Sequence, residues 1–140
     1  MIVNNNFSKT VDLLHRSMST SSLRQAVYAN NFANQNVPNF KRTEVTFESE
    51  LGRALDTERQ RPVLELARTH PDHISNWQPR DYQDVGPRRV LDYLTQVNNN
   101  GNNVCPEMEF NLLLKNQMRY MLFSQMTTFE FSQLNLVLRG

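Results

Sequence analysis

The chain is 140 residues long and 39% hydrophobic, with 15 basic against 14 acidic side chains and one cysteine. That length suits one domain, the near-cancelling charge excludes a field that would draw nucleic acid or anionic lipid, and a lone cysteine excludes an intrachain disulfide. A hydrophobic fraction below the roughly 45–50% usual for globular domains points to a thin core.

The opening Met1-Ile2-Val3-Asn4-Asn5-Asn6 lacks a basic region followed by an apolar run. No cleaved secretory signal is therefore expected, and work outside the cytoplasm would need another export route. Apolar runs such as Leu112–Leu114 are too short for membrane insertion.

From about Asn6 to Ala33 the pattern predicts a helix. Phe7, Val11, Leu14, Met18, Ser21, Gln25, Tyr28 and Phe32 alternate spacings of four and three, a heptad seam diluted by Ser21 and Gln25. The Ser17–Ser22 run in its middle is a weak helix former. The seam favours a coiled-coil-like helix paired with the C-terminal helix over one packed in an ordinary bundle.

Pro38 forces Val37 into an extended conformation, so the helix should end near Asn34. Asn34, Asn36 and Asn39 tolerate left-handed backbone angles, as a helix exit and tight turn require. Phe40 is placed to fold back on the helix. The run Ala29-Asn30-Asn31-Phe32-Ala33-Asn34-Gln35-Asn36-Val37-Pro38-Asn39-Phe40-Lys41 resembles the N-terminal signature of bacterial flagellar axial proteins, the rod, hook and hook-associated families. That signature reads Ala-Asn-Asn-Ile/Leu-Ala-Asn-x-x-Thr-Pro-Gly-Tyr/Phe-Lys. Phe32, Val37 and Asn39 replace its aliphatic residue, threonine and glycine; asparagine is the next best residue at positive φ.

Residues 41–97 hold 9 basic and 10 acidic side chains and four of the six prolines: Pro62, Pro71, Pro79 and Pro87. Val45, Phe47, Leu51 and Leu55 suggest a short helix weakened by Gly52. Pro62 to Pro87 reads as loop with Trp77 and Tyr82 as anchors. Val90–Val97 alternates weakly, with Leu91, Tyr93, Thr95 and Val97 on one face, as a strand would. Asn99-Asn100-Gly101-Asn102 favours a tight reversal, because Asn-Gly accepts two positive φ angles. The basic pairs Lys41-Arg42 and Arg88-Arg89 read as solvated and flanked by acids.

The last quarter, from Pro106 to Leu138, reads as one helix without internal glycine or proline, roughly 50 Å long at about 1.5 Å per residue. Pro106 suits the first helical position, and Glu107 and Glu109 lie near the positive end of the helix dipole. Phe110, Leu114, Met118, Met121, Leu122, Gln125, Phe129 and Leu136 share one stripe, and Leu112, Phe123 and Leu134 form a sparser line opposite. A helix on one core needs a single apolar face; two faces ask for neighbours on both sides.

Asn100-Gly101-Asn102-Asn103-Val104-Cys105, then Glu107 and Glu109, then Asn116 with Tyr120, resembles the C-terminal signature of the proximal rod proteins of the flagellar basal body. That pattern reads Asp-Gly-Asn-Asn/Thr-Val-Asp, acidic residues, then Asn-x-x-x-Tyr. Asn100 stands for its first aspartate and Cys105 for its second, a natural N-cap.

His70-Pro71-Asp72-His73, with Cys105, is the one cluster of zinc-ligand character. It lacks a second ligand pair at zinc-site spacing, and an exposed turn is the better reading. Cys105 has no orienting partner or glycine loop that would make it a nucleophile. No catalytic residue, metal or cofactor is expected. Met108, Met118, Met121 and Met126 read as packing, partly between subunits, rather than as a promiscuous peptide groove. Asn30, Asn31, Asn34 and Asn116 suit buried amides that fix register in a helix seam.

The fold class read from this pattern is mainly α: long N- and C-terminal amphipathic helices forming a coiled-coil-like pair, with a small irregular or β middle module. The expected divisions are 1–40, 41–104 and 105–140. Expected subunit-interface residues are Phe7, Val11, Leu14, Met18, Tyr28, Phe32, Phe110, Leu114, Met118, Met121, Leu122, Phe129 and Leu136; Asn30, Asn31, Asn34, Pro38 and Phe40 form the turn motif. The family resemblance implies a structural subunit of the proximal rod, assembling helically to link the membrane ring to the distal rod and transmit torque. It further implies export through the flagellar type III apparatus to the periplasmic rod, and as partners copies of itself, other rod proteins and the rod–ring adaptor. The alternative is a soluble helical adaptor or chaperone binding a partner helix.

Overall fold

The computed structural model describes residues 6–59, 70, 72 and 80–139. In chain order the elements are α1 (Asn6–Ala33), β1 (Thr43–Thr46), α2 (Glu48–Arg59), a 3-10 turn (Tyr82–Asp84), β2 (Arg88–Leu91) and α3 (Pro106–Arg139). The protein is thus mainly helical with long terminal helices and a small two-stranded sheet, as its periodicity predicts. Two compact units result. One is built from the chain up to Val45 and from Arg89 onward; the other is Thr46–Arg88.

In the first unit α1 and α3 run antiparallel. Asn116 on α3 donates its amide to the Ser21 carbonyl at 2.8 Å, and Phe7 meets Phe131 edge to face at 5.9 Å. The serine-rich centre of α1 stays helical because its hydroxyls are satisfied on the helix itself. Ser17, Thr20 and Ser21 each donate to the carbonyl four residues back, at 2.8, 2.9 and 2.9 Å. Small side chains there let the Asn116 amide reach the α1 main chain.

The helix ends as the asparagines and Pro38 predict. Asn34 N–H still bonds to the Asn30 carbonyl, and Asn39 turns the chain at φ 59°. Among described residues the last turn of α1 has no basic side chain to balance its dipole. Asn102 supplies the missing donor: its Nδ2 lies 3.0, 3.0 and 2.8 Å from the carbonyls of Asn34, Gln35 and Val37.

Three local expectations need correction. The reversal near Gly101 uses one positive φ, not two. Gly101 N–H bonds to the Asn98 carbonyl, and Val97 and Asn98 N–H both bond to the Asn102 carbonyl. With Gly101 alone at φ 79°, this is a three-residue loop ending in a left-handed glycine. A Cβ at Gly101 would also sit 2.5 Å from Asn39 Oδ1. The Asn39 side chain can swing aside, so strained φ is the main cost. Gly101→Ala should therefore destabilise the chain by about 1–2 kcal/mol, read as a lower urea midpoint with unchanged slope.

The strand expected over Val90–Val97 stops at Leu91. Asp92 ends it by folding the chain onto its own carboxylate, which accepts from the N–H of Leu94 and of Thr95 at 3.2 Å and from Thr95 Oγ1 at 2.6 Å. The Thr95 hydroxyl bond holds the Asp92 carboxyl below the usual carboxylate range.

In the second unit Ala54 of α2, Phe47, Tyr82 and Val85 are the buried side chains among the described residues. Val45 is not part of this helix, contrary to the apolar spacing; it is buried in β1. Phe47 instead precedes α2 and its carbonyl accepts the Leu51 N–H at 2.9 Å. The Asp81 carboxylate caps the 3-10 turn through Gln83 N–H at 2.9 Å. Trp77, the other expected anchor, lies outside the described residues.

Candidate assembly interface

Only Leu112, Leu113 and Phe123 among the large apolar side chains of α3 are half-buried; all its others are exposed. The face turned to α1 instead follows Glu109, Leu113, Asn116, Phe123, Thr127 and Glu130, largely polar and at heptad spacing. At about 100° per residue this face lies roughly opposite the apolar stripe. Phe110, Leu114, Met118, Met121, Leu122, Phe129 and Leu136 are between 43% and 73% exposed and face away from the subunit's own interior.

On α1 the expected seam is rotated by about a quarter turn. Leu14 is buried, and Phe7, Val11, Met18 and Tyr28 are half-buried, but Gln25 and Phe32 are exposed. The second line of the packed face is Ser17, Arg24 and Asn31 rather than Met18, Gln25 and Phe32. Polarity loses to hydrogen bonding here. Arg24 donates to the Val45 carbonyl at 3.1 Å through Nη2. Asn31 binds β1 like an added strand residue, giving Nδ2–H to the Thr43 carbonyl at 2.8 Å and accepting the Thr43 N–H at 3.0 Å. Neither partner is visible in a helical wheel.

Beneath these contacts lies a charged cluster. Glu109 is 1% exposed. Its carboxylate accepts from Arg42 Nε at 2.9 Å and from Asn31 Nδ2 at 3.1 Å. Arg42 also pairs with Glu44, and its side chain is 11% exposed, which corrects the reading of Lys41-Arg42 as a solvated pair. Burial alone would lower the Arg42 pKa, but the hydrogen bond and charge of Glu109 outweigh it and raise the value. Asn103 adds three bonds, accepting the Arg42 N–H at 2.7 Å and donating to the Asp92 carbonyl at 2.8 Å and to Thr95 Oγ1 at 3.0 Å. The cluster ties the end of α1, the start of α3 and β1 into one register.

The turn-motif residues divide between roles. Asn31 is fully buried in the cluster, Asn34 binds the Asn30 carbonyl at 2.7 Å, and Asn30 and Pro38 are exposed while Phe40 is half-buried. Cys105 occupies the N-cap of α3: its carbonyl accepts the Glu109 N–H at 3.0 Å. Its thiol donates to Glu107 at 3.2 Å. The backbone N–H of Glu107 and that thiol hold the Glu107 carboxyl below its ordinary value. His70 and Asp72 are exposed and His73 lies outside the described residues, among which no three histidine, cysteine or acidic side chains converge. No helix among them is long and apolar enough to cross a membrane.

A family model described as flagella basal body rod protein matches residues 15–41, the second half of α1 and its exit turn. Over nearly the whole chain the protein is similar to three proteins named flagellar basal body rod protein FlgB. The one from Borreliella burgdorferi is 42% identical over 135 residues, covering 96% of this chain and 99% of the relative. The one from Borrelia hermsii is 44% identical over the same shares. The Bacillus subtilis relative is 32% identical over 136 residues and 96% of each chain. Identities of 32% to 44% over 96% of the chain make it a member of the FlgB family of structural flagellar basal body rod proteins.

Proposed function

We propose that the outward stripe of α3 is the surface through which this rod subunit joins its neighbours in the proximal rod. The observation that carries this reading is the division of α3 into a polar inner face and an apolar outer one. Burying one large apolar side chain stabilises by about 1.5–3 kcal/mol, against about 4–15 kcal/mol for association. Five to seven stripe residues fully covered by a neighbour would supply about 8–20 kcal/mol, a gain of the same order as that cost. A repeated, non-closing contact of this kind builds a tubular helical assembly. The same reading has the rod link the membrane ring to the distal rod and carry torque. Its neighbours are copies of itself, other rod proteins and the rod–ring adaptor, and it reaches the periplasm through the flagellar type III export apparatus. A free helical adaptor is not favoured by the family.

A photo-crosslinking amino acid placed at Met118 or Phe129 tests the interface in isolated basal bodies. Crosslinks from both positions to other rod subunits are expected, whereas the same probe at Asn116, which faces α1, should give intrachain products. Intermolecular crosslinks from position 116 with none from 118 or 129 would overturn the assignment.

A further inference from the structure

Among the described residues strand β2 has β1 as its single strand neighbour. Asp92 N–H donates to the Arg42 carbonyl at 3.0 Å, a register that sets Val90 opposite Glu44 and Leu91 opposite Thr43. Successive residues of an antiparallel strand turn their main-chain groups to opposite sides. Arg89 and Leu91 therefore direct N–H and C=O away from β1, and among the described residues no hydrogen bond reaches them there. The outer edge of β1 is treated differently. Asn31 closes it at Thr43, and Arg24 closes it at Val45. Among the described residues one edge of the sheet is sealed by α1 and the other is left open.

The open edge carries unusual side chains. Val90, Leu91, Tyr93 and Leu94 are all exposed, Leu94 to 98%. Arg89 is exposed, has no ion-pair partner among the described residues, and lines a groove of about 330 Å³ with Ala26, Val27, Asn30 and Thr43. A free edge exposing apolar side chains is a template for another strand.

We propose that β2 receives an extended segment of another protein as a third strand, one that sets an acidic side chain opposite Arg89 and apolar side chains opposite Val90 and Leu91. The argument for that occupant is charge. Cross-strand pairs of opposite sign stabilise and like charges destabilise, so Arg89, with no ion-pair partner among the described residues, selects a carboxylate and rejects a basic strand. The proposal goes beyond the rod reading and uses none of the α3 stripe; it stands or falls on the isolated chain.

The probe is the peptide acetyl-Thr-Val-Val-Glu-Glu-Thr-amide, compared with its Lys-Lys counterpart, and the readout is amide hydrogen exchange by NMR. At saturation the acidic peptide should slow exchange at Arg89 and Leu91 about tenfold, leaving Val90, already turned to β1, unchanged. The basic peptide should have no effect, and Arg89→Glu should reverse the preference. Equal protection by both peptides, or by neither, would overturn the proposal. So would protection that appears without peptide and grows with protein concentration, since a second copy would then own the edge.

Discussion

Leu114→Asp and Met118→Asp chains are expected to be exported at normal levels and to be missing from basal bodies. Both side chains are exposed in the subunit, on the side of α3 turned away from α1. A surface substitution of that kind changes subunit stability by about 0.5 kcal/mol or less, so the purified chains should keep native circular dichroism and urea midpoints. Assembly is affected far more. A carboxylate buried without a partner carries a penalty of several kcal/mol, and each 1.4 kcal/mol is tenfold in an association constant. Incorporation should fall at least about a hundredfold, read as loss of rod-containing basal bodies and of motility. Either variant entering basal bodies at the normal level would remove the stripe from the interface.

The helix limits, the exit turn and the family were legible in the sequence because they rest on local rules. Pro38 stops a helix wherever it occurs, Asn39 takes a positive φ at small cost, and Pro106 begins α3. What was illegible depended on groups distant in the chain. The helical wheel placed Phe32 inside and said nothing for Arg24, while Asn31 was expected as a buried amide but with no partner named. Those two are inside because strand β1 offers carbonyls and an N–H at the right height. Glu109 looked like a dipole-balancing surface residue. Its true partner Arg42 lies 67 residues away in sequence, and the only hint was an arginine just after the Asn-rich exit. The extended reading of Val90–Val97 failed for a local reason that alternation hides, the capture of two N–H groups by Asp92. For the stripe itself, periodicity found the residues but not their direction. Apolar content marks a face that seeks burial without saying whether the same chain provides it.

Removing the buried charge should cost more stability than any other single change in the helix pair. Glu109→Leu removes the buried carboxylate and leaves the largely enclosed Arg42 guanidinium with only the exposed Glu44 as its acidic partner, and breaking a buried pair from one side costs up to about 3–5 kcal/mol. Domains of this size are stable by about 5–15 kcal/mol, so the variant should melt far below the wild type or fail to fold. Asn31 loses an acceptor as well, although its two bonds to Thr43 remain. The double variant Arg42→Met with Glu109→Leu separates burial of charge from packing. Two apolar side chains of similar volume bring no desolvation penalty, so the pair should recover most of the loss, with a coupling energy of about 2–3 kcal/mol in the cycle. Urea unfolding of all four proteins supplies the numbers. If Glu109→Leu alone shifts stability by less than about 1 kcal/mol, or if the double variant is as unstable as the two single losses added together, the Glu109–Arg42 pair is not what holds α1, β1 and α3 in register, and the lock must lie with the asparagines around it.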